Sequence, residues 1–132
     1  VRCGADHAEL KVAPDGTVNI IEIGSRMGGD CIGSDLVQLT TGIDFVGAVV
    51  DAALGREPNL EPHPSGKFAL VKYVFNEEDA AVLDRIRQEH PEWIVRESAM
   101  EPITGTVSDS STRFGFAVLA MEAAPDVAYL GF

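Results

Sequence analysis

Two stretches near the start of the chain, residues 6–12 and 17–23, alternate apolar and polar positions with a period of two. That period sorts side chains onto opposite faces of a sheet, so the pattern predicts two strands. Asp15-Gly16 lies between them and predicts a two-residue hairpin turn of the kind that needs positive φ at both central positions. Cross-strand partners then have numbers summing to 31, so that Pro14 faces Thr17 and Glu9 faces Glu22. One face carries His7, Glu9 and Lys11 against Gly24, Glu22 and Ile20. The other carries Ala8, Leu10 and Val12 against Ile23, Ile21 and Asn19. A slip of one residue would undo this sorting, so the pattern itself specifies the pairing.

GSRMGGDCIGSD follows, with glycines at 24, 28, 29 and 33, and reads as a loop. Ser34 and Asp35 are expected to cap a short helix over 36–39, which Thr41-Gly42 interrupts. Asp44 caps a second helix with apolar residues at 45, 46, 49, 50, 53 and 54, ended by Gly55. REPNLEPHPSG is a proline-rich linker and marks the expected boundary between residues 1–60 and 61–132. Beyond it the pattern reads β-α-β-β-β: a strand at 67–75, a helix from Glu77 to Glu89 capped by Asn76 and stopped by Pro91, and strands at 93–99, 103–107 and 113–122. The fold class is α+β.

A length of 132 residues suits one domain or two small subdomains sharing a core. Ten basic residues against 21 acidic ones, a net charge of −11, argue against a nucleic-acid partner. No apolar run approaches the length of a membrane span, and no signal-peptide pattern is present, so no membrane association and a cytoplasmic location are expected. Cys3 and Cys31 have no CxxC spacing and are expected to be free thiols. The chain opens Val-Arg-Cys, without Met, straight into a strand-like run, and we read it as a piece of a longer protein. Apolar strand edges in such a piece could pair with a second copy, so a homodimer is among the expectations.

Like charges directly opposed on one sheet face are destabilising, and Glu9 facing Glu22 calls for a cation between them. A hard divalent ion, Mg²⁺ or Mn²⁺, suits an oxygen-rich acidic pocket. The alternatives are that one glutamate points to solvent or that Lys11 and Arg26 neutralise the pair. Arg26 stands where the second strand enters the glycine loop, as a salt-bridge partner or as a bidentate clamp for phosphate or carboxylate. Gly28-Gly29 would let the backbone approach a ligand closely. The spacing fits neither GxGxxG nor GxxxxGK[ST]. His7 shares the acidic face and reads as structural or solvated; His63 and His90 lack ligand partners in the pattern, and Arg113 reads as a surface charge. No zinc spacing and no Ser-His-Asp or Cys-His arrangement is apparent.

HAEL, IIEIGSRMGGD and LTTGIDF together resemble the end of the ATP-grasp fold, over about residues 5–55. Met-Gly-Gly-Asp after the arginine looks most like the amino-acid ligase and carbamoyl-phosphate-synthase-like branches. MEPITGTVSDSSTRFGFAVLA is similar to the small β-rich C-terminal subdomain appended there. The resemblance implies the C-terminal half of an ATP-grasp domain followed by a small β-rich subdomain with one helix. It implies that Glu9 and Glu22 hold Mg²⁺ bridging the phosphates of ATP, and that Arg26 contacts the acyl-phosphate or acceptor region. The parent activity implied is ATP-dependent joining of a small-molecule carboxylate to an amine. The sequence departs from the family pattern at Gly24, where an Asn is usual. The family's adenine-binding residues, phosphate-contacting Lys and lid are not in this chain, which is therefore expected to be inactive alone, or else a non-catalytic remnant that serves binding or dimerisation.

Overall fold

The structure is a computed structural model and describes residues 3–132. It forms two compact units, residues 1–63 and 64–132.

The first unit opens with an antiparallel hairpin of β1 (His7–Val12) and β2 (Val18–Gly24). Its turn differs from the expected two-residue form. Gly16 N donates to Ala13 O at 2.9 Å and Ala13 N donates to Thr17 O at 2.9 Å, which makes a three-residue loop of Pro14, Asp15 and Gly16. Gly16 takes the left-handed position at φ 85°, and Asp15 is not among the positive-φ residues. Pro14 explains the choice. Its fixed φ suits the second position of a type I turn, and a left-handed glycine then completes the common three-residue hairpin loop. Asp15 Oδ1 accepts from Thr17 N at 2.9 Å, and this bond holds its carboxyl below the usual carboxylate range.

The longer loop moves the register by one, so that Val12 pairs with Val18, Lys11 with Asn19 and Leu10 with Ile20. A bulge then skips Ile21, restoring Glu9 to Glu22, Ala8 to Ile23 and His7 to Gly24. Asn19, expected on the apolar face, instead pairs with Lys11, and Ile20 pairs with Leu10. The faces are sorted more cleanly than simple alternation predicts. The apolar face is nonetheless uncovered: Leu10, Val12, Val18, Ile20 and Ile23 are each 53–66 % exposed.

After the loop, Ile32–Leu36 forms a π-helical turn that runs into α1 (Val37–Thr41). Ser34 and Asp35 lie inside that turn, not at a cap. The residue preceding it is Cys31, whose carbonyl accepts from both Asp35 N and Leu36 N at 3.0 Å. Asp44 does cap α2 (Phe45–Ala53), accepting from Gly47 N at 2.8 Å. A Cβ at position 47 would lie 2.5 Å from Asp44 Oδ2, so glycine there lets the carboxylate close on the helix end. Among the described residues of this unit Ala48 is the one buried apolar side chain, while Val46, Val50 and Leu54 leave an exposed stripe at helical spacing.

The second unit is a three-stranded antiparallel sheet in the order β3 (Phe68–Val74), β5 (Gly115–Met121), β4 (Ile94–Glu97), with α3 (Glu77–Glu89) on one face. Leu83 and Ile86 of α3 meet Val74, Ala117, Leu119 and Met121 in its core, with Leu130 from the C-terminal segment. Asn76 caps α3 by accepting from Asp79 N at 2.9 Å. Lys72, buried on β3, is held by Asp79 at 2.5 Å, and Asp79 also accepts from Phe75 N at 3.0 Å, fastening helix start to strand end.

The strand expected at 103–107 is absent. Gly105 has φ 100° and breaks the extended run, and Ile103 and Val107 instead pack on the core from an irregular loop. Arg113 is a further correction: its guanidinium lies 3.8 Å from the centre of the Tyr73 ring, so it is a stacked, partly buried group and not a free surface charge.

Candidate functional site

The acidic face of the hairpin places Glu9 and Glu22 directly opposite each other, two pairings along the ladder from His7 and Gly24 on the same face. Neither glutamate, nor Lys11, nor Arg26 forms an ion pair with a described residue. The neutralised alternative is therefore not the arrangement adopted. The two glutamates are cross-strand partners, and among the described residues neither is ion-paired to a cation.

Arg26 folds back toward this face. Its backbone N–H donates to Gly24 O at 2.8 Å, which tightens the exit from β2. A Cβ built at Gly24 would lie 3.6 Å from Arg26 Cγ, 3.7 Å from its Nε and 3.9 Å from Glu22 Oε1. The guanidinium and the Glu22 carboxylate thus flank the same small space, which an ordinary side chain at position 24 would fill. Nη1 of Arg26 donates to Met27 O at 3.1 Å, and the remaining guanidinium donors stay on the exposed side.

The glycine loop is shaped by packing. Gly28 and Gly29 do not take positive φ; the left-handed positions are Asp30 at 52° and Cys31 at 64°. A Cβ at Gly28 would meet His7 Cδ2 and Ile32 Cγ2, both at 3.2 Å, so this glycine lets the loop pack against the hairpin. A Cβ at Gly33 would lie 2.1 Å from Met27 Cγ. Gly29 has open space around it, with its carbonyl accepting from Ile32 N at 2.9 Å. Gly33 carries the most severe demand of the loop, and its place at the Met27 contact has no signature in the sequence.

Among the described residues no group of three or more His, Cys, Asp or Glu side chains is placed to hold a metal ion. Two opposed carboxylates without a third protein ligand suit Mg²⁺, which is commonly held by one or two carboxylates together with phosphate oxygens and water. The donor set fits an ion shared with a phosphate ligand and does not fit an all-protein cage. No described helix by itself is long and apolar enough to cross a membrane.

No protein-family model matches the chain, and no curated protein does. Its structure is similar to the crystal structure of an L-amino acid ligase from Bacillus licheniformis, with a TM-score of 0.57 at 22% identity. The match covers 91% of this chain and 33% of that one, so the chain spans about a third of the ligase's length. The likeness is one of fold: an α+β arrangement with two small antiparallel sheets.

Proposed function

We propose that this chain is part of an ATP-dependent carboxylate–amine ligase and supplies one wall of its active site. The observation that carries this is the Glu9–Glu22 pair, opposed on a hairpin and ion-paired to no described residue, in a chain whose fold matches a third of an amino acid ligase. Glu9 and Glu22 hold Mg²⁺ or Mn²⁺ together with ATP phosphates, and act as metal ligands, not as general bases. Bound there, the ion would neutralise charge on the phosphates as a carboxylate is activated to an acyl phosphate. Arg26, beside Glu22, contacts the phosphate or the activated acyl group with its free donors. Gly28 and Gly29 bring loop backbone close to the same ligand. The partners are ATP and small-molecule carboxylate and amine substrates. The uncovered apolar face of the hairpin suits a portion of a larger fold.

Binding of Mn²⁺ in the presence of ATP, followed by electron paramagnetic resonance, tests the site. Binding lost in the Glu9→Gln/Glu22→Gln double variant supports it, and binding unchanged in that variant removes the assignment. This chain alone is expected to show no ATP turnover; phosphate release that the double variant abolishes would overturn that expectation. One observation favours a binding-only module instead: position 24 is glycine and contributes no oxygen ligand to the acidic face. Retained metal and ATP binding without amide formation, in a protein carrying the rest of the fold, would select that reading.

A further inference from the structure

β1 has one neighbour among the described strands, β2, so its other side is an open edge. Ala8 to Val12 are exposed, and no backbone group of another described element bonds to that edge. Ala13 N donates to Thr17 O at 2.9 Å, so the amide of Ala13 is turned toward β2. The extra residue of the bulge lies on β2, at Ile21, which leaves β1 regular. Successive residues of a regular strand turn their backbone groups to opposite sides. Val12, Leu10 and Ala8 therefore present N–H and C=O to the open edge.

An antiparallel partner on this edge must set outward residues against outward residues. When the partner is a second copy of β1, related by a two-fold axis, the numbers of facing residues sum to an even value. Sums of 18 and 20 each pair five residues of the strand, and every other even sum pairs three or fewer. A sum of 18 sets Glu9 against Glu9 of the second copy, like charges directly opposed. A sum of 20 sets Leu10 against Leu10, Ala8 against Val12, and Glu9 against Lys11 on both sides of the axis. The Glu–Lys pairs then fall at the positions without hydrogen bonds, where facing side chains approach most closely.

We propose that this chain forms a two-fold dimer through the open edge of β1, centred on Leu10, with Glu9 of each copy opposite Lys11 of the other. A lysine on an edge strand ordinarily discourages pairing. Here it shares a face with a glutamate on the far side of Leu10, and the edge becomes complementary to itself. The product is a four-stranded sheet in the order β2-β1-β1-β2. Across its acidic face one row reads Glu22, Glu9, then Lys11 and Asn19 of the second copy. Glu9 and Lys11, which form no ion pair with a described residue of their own chain, each gain a partner of opposite charge. On the other face the two Leu10 side chains meet, each beside Ile20 of its own hairpin. The association needs neither metal nor ATP, so it stands or falls separately from the ligase reading.

Sedimentation equilibrium of the whole chain over a range of concentrations, without metal or nucleotide, should show a reversible monomer–dimer equilibrium. At about 0.15 M salt the repulsion between two copies of net charge −11 is screened beyond about 8 Å, whereas facing pairs about 5 Å apart still interact. Lys11→Glu and Glu9→Lys each turn both facing pairs repulsive and should weaken association about tenfold or more. An equimolar mixture of these two variants should dimerise as the unaltered chain does, because one carries two acids and the other two lysines at the facing positions. The double variant Glu9→Lys/Lys11→Glu should also dimerise, since the exchange preserves every facing pair. A chain that is monomeric at every concentration would overturn the proposal. So would a dimer that persists in both single variants, or a mixture no better associated than its components.

Discussion

Replacing Glu22 by glutamine should make the chain more stable without metal and less responsive to it. Glu9 and Glu22 are opposed in register, with Cβ atoms about 5 Å apart by the geometry of such pairs. Two unit charges about 5 Å apart in water repel by about 0.8 kcal/mol, and cross-strand pair energies span about 0.2–1 kcal/mol. Both side chains are exposed, so the water value applies and salt reduces it further. The gain expected from Glu22→Gln is therefore a few tenths of a kcal/mol, or about 1–4 °C in the midpoint of a domain this size. Metal reverses the order. An ion held at one hundred times its dissociation constant stabilises the protein that binds it by about 2.7 kcal/mol, and the variant forfeits most of this. Thermal unfolding followed by circular dichroism, with and without Mn²⁺ and ATP, reads both halves. A variant less stable than the parent without metal, or one stabilised by Mn²⁺ as much as the parent, would refute the reasoning.

The glycine loop should rank its substitutions by the space at each Cβ. Gly33→Ala should cost the most, about 1–3 kcal/mol, because Met27 must be displaced; Gly28→Ala should cost less, and Gly29→Ala least, as chemical denaturation would measure. Asp79→Ala should destabilise the second unit by about 3–5 kcal/mol, because it strands a buried Lys72, whereas the further change of Lys72 to Met should recover much of the loss in the same assay. Asp109 accepts from Ser111 N and Oγ and from Ser108 Oγ, which hold its carboxyl below the usual range. Its share of stability is thus present above the ordinary carboxylate range and lost as pH falls through the lowered value. Asp109→Asn should remove that acid-side loss, seen as a flatter exchange profile for amides 111–112.

The helices were the most legible elements, and the reasons are local. Asn76 and Asp44 each sit ahead of an apolar periodic run and accept from an amide three residues on, so their caps could be read from the residues alone. The hairpin is legible as a pairing but not as a turn. Asp15-Gly16 serves a two-residue loop or a three-residue one, and the deciding signal was Pro14. The doubled Ile20-Ile21 was likewise a sign of the bulge, because Asn19 and Glu22 share a face although their separation is odd. The loop at 103–107 has the residues of a strand, but it depends on whether a neighbour is free to pair, which no local pattern reports. For the site, the opposition of the two glutamates could be counted out in advance. The packing demands at Gly28 and Gly33 could not, since they arise from His7, Ile32 and Met27 arriving from elsewhere along the chain.

Loop and bulge together leave the hairpin with slack. Deleting Pro14 would leave Asp15-Gly16 as a two-residue loop between the same partners, Ala13 and Thr17. Deleting Ile21 would iron the bulge into a regular ladder that still sets Leu10 against Ile20 and Glu9 against Glu22. Both events are expected to be silent at the carboxylates, whereas losing Lys11 or Asn19 would slide one strand past the other. The count of residues between the two acids is therefore free to drift among relatives while their juxtaposition is kept. A search for this corner by fixed spacing would overlook chains that possess it, and one that allows an indel at the turn and another beside the second acid would find them.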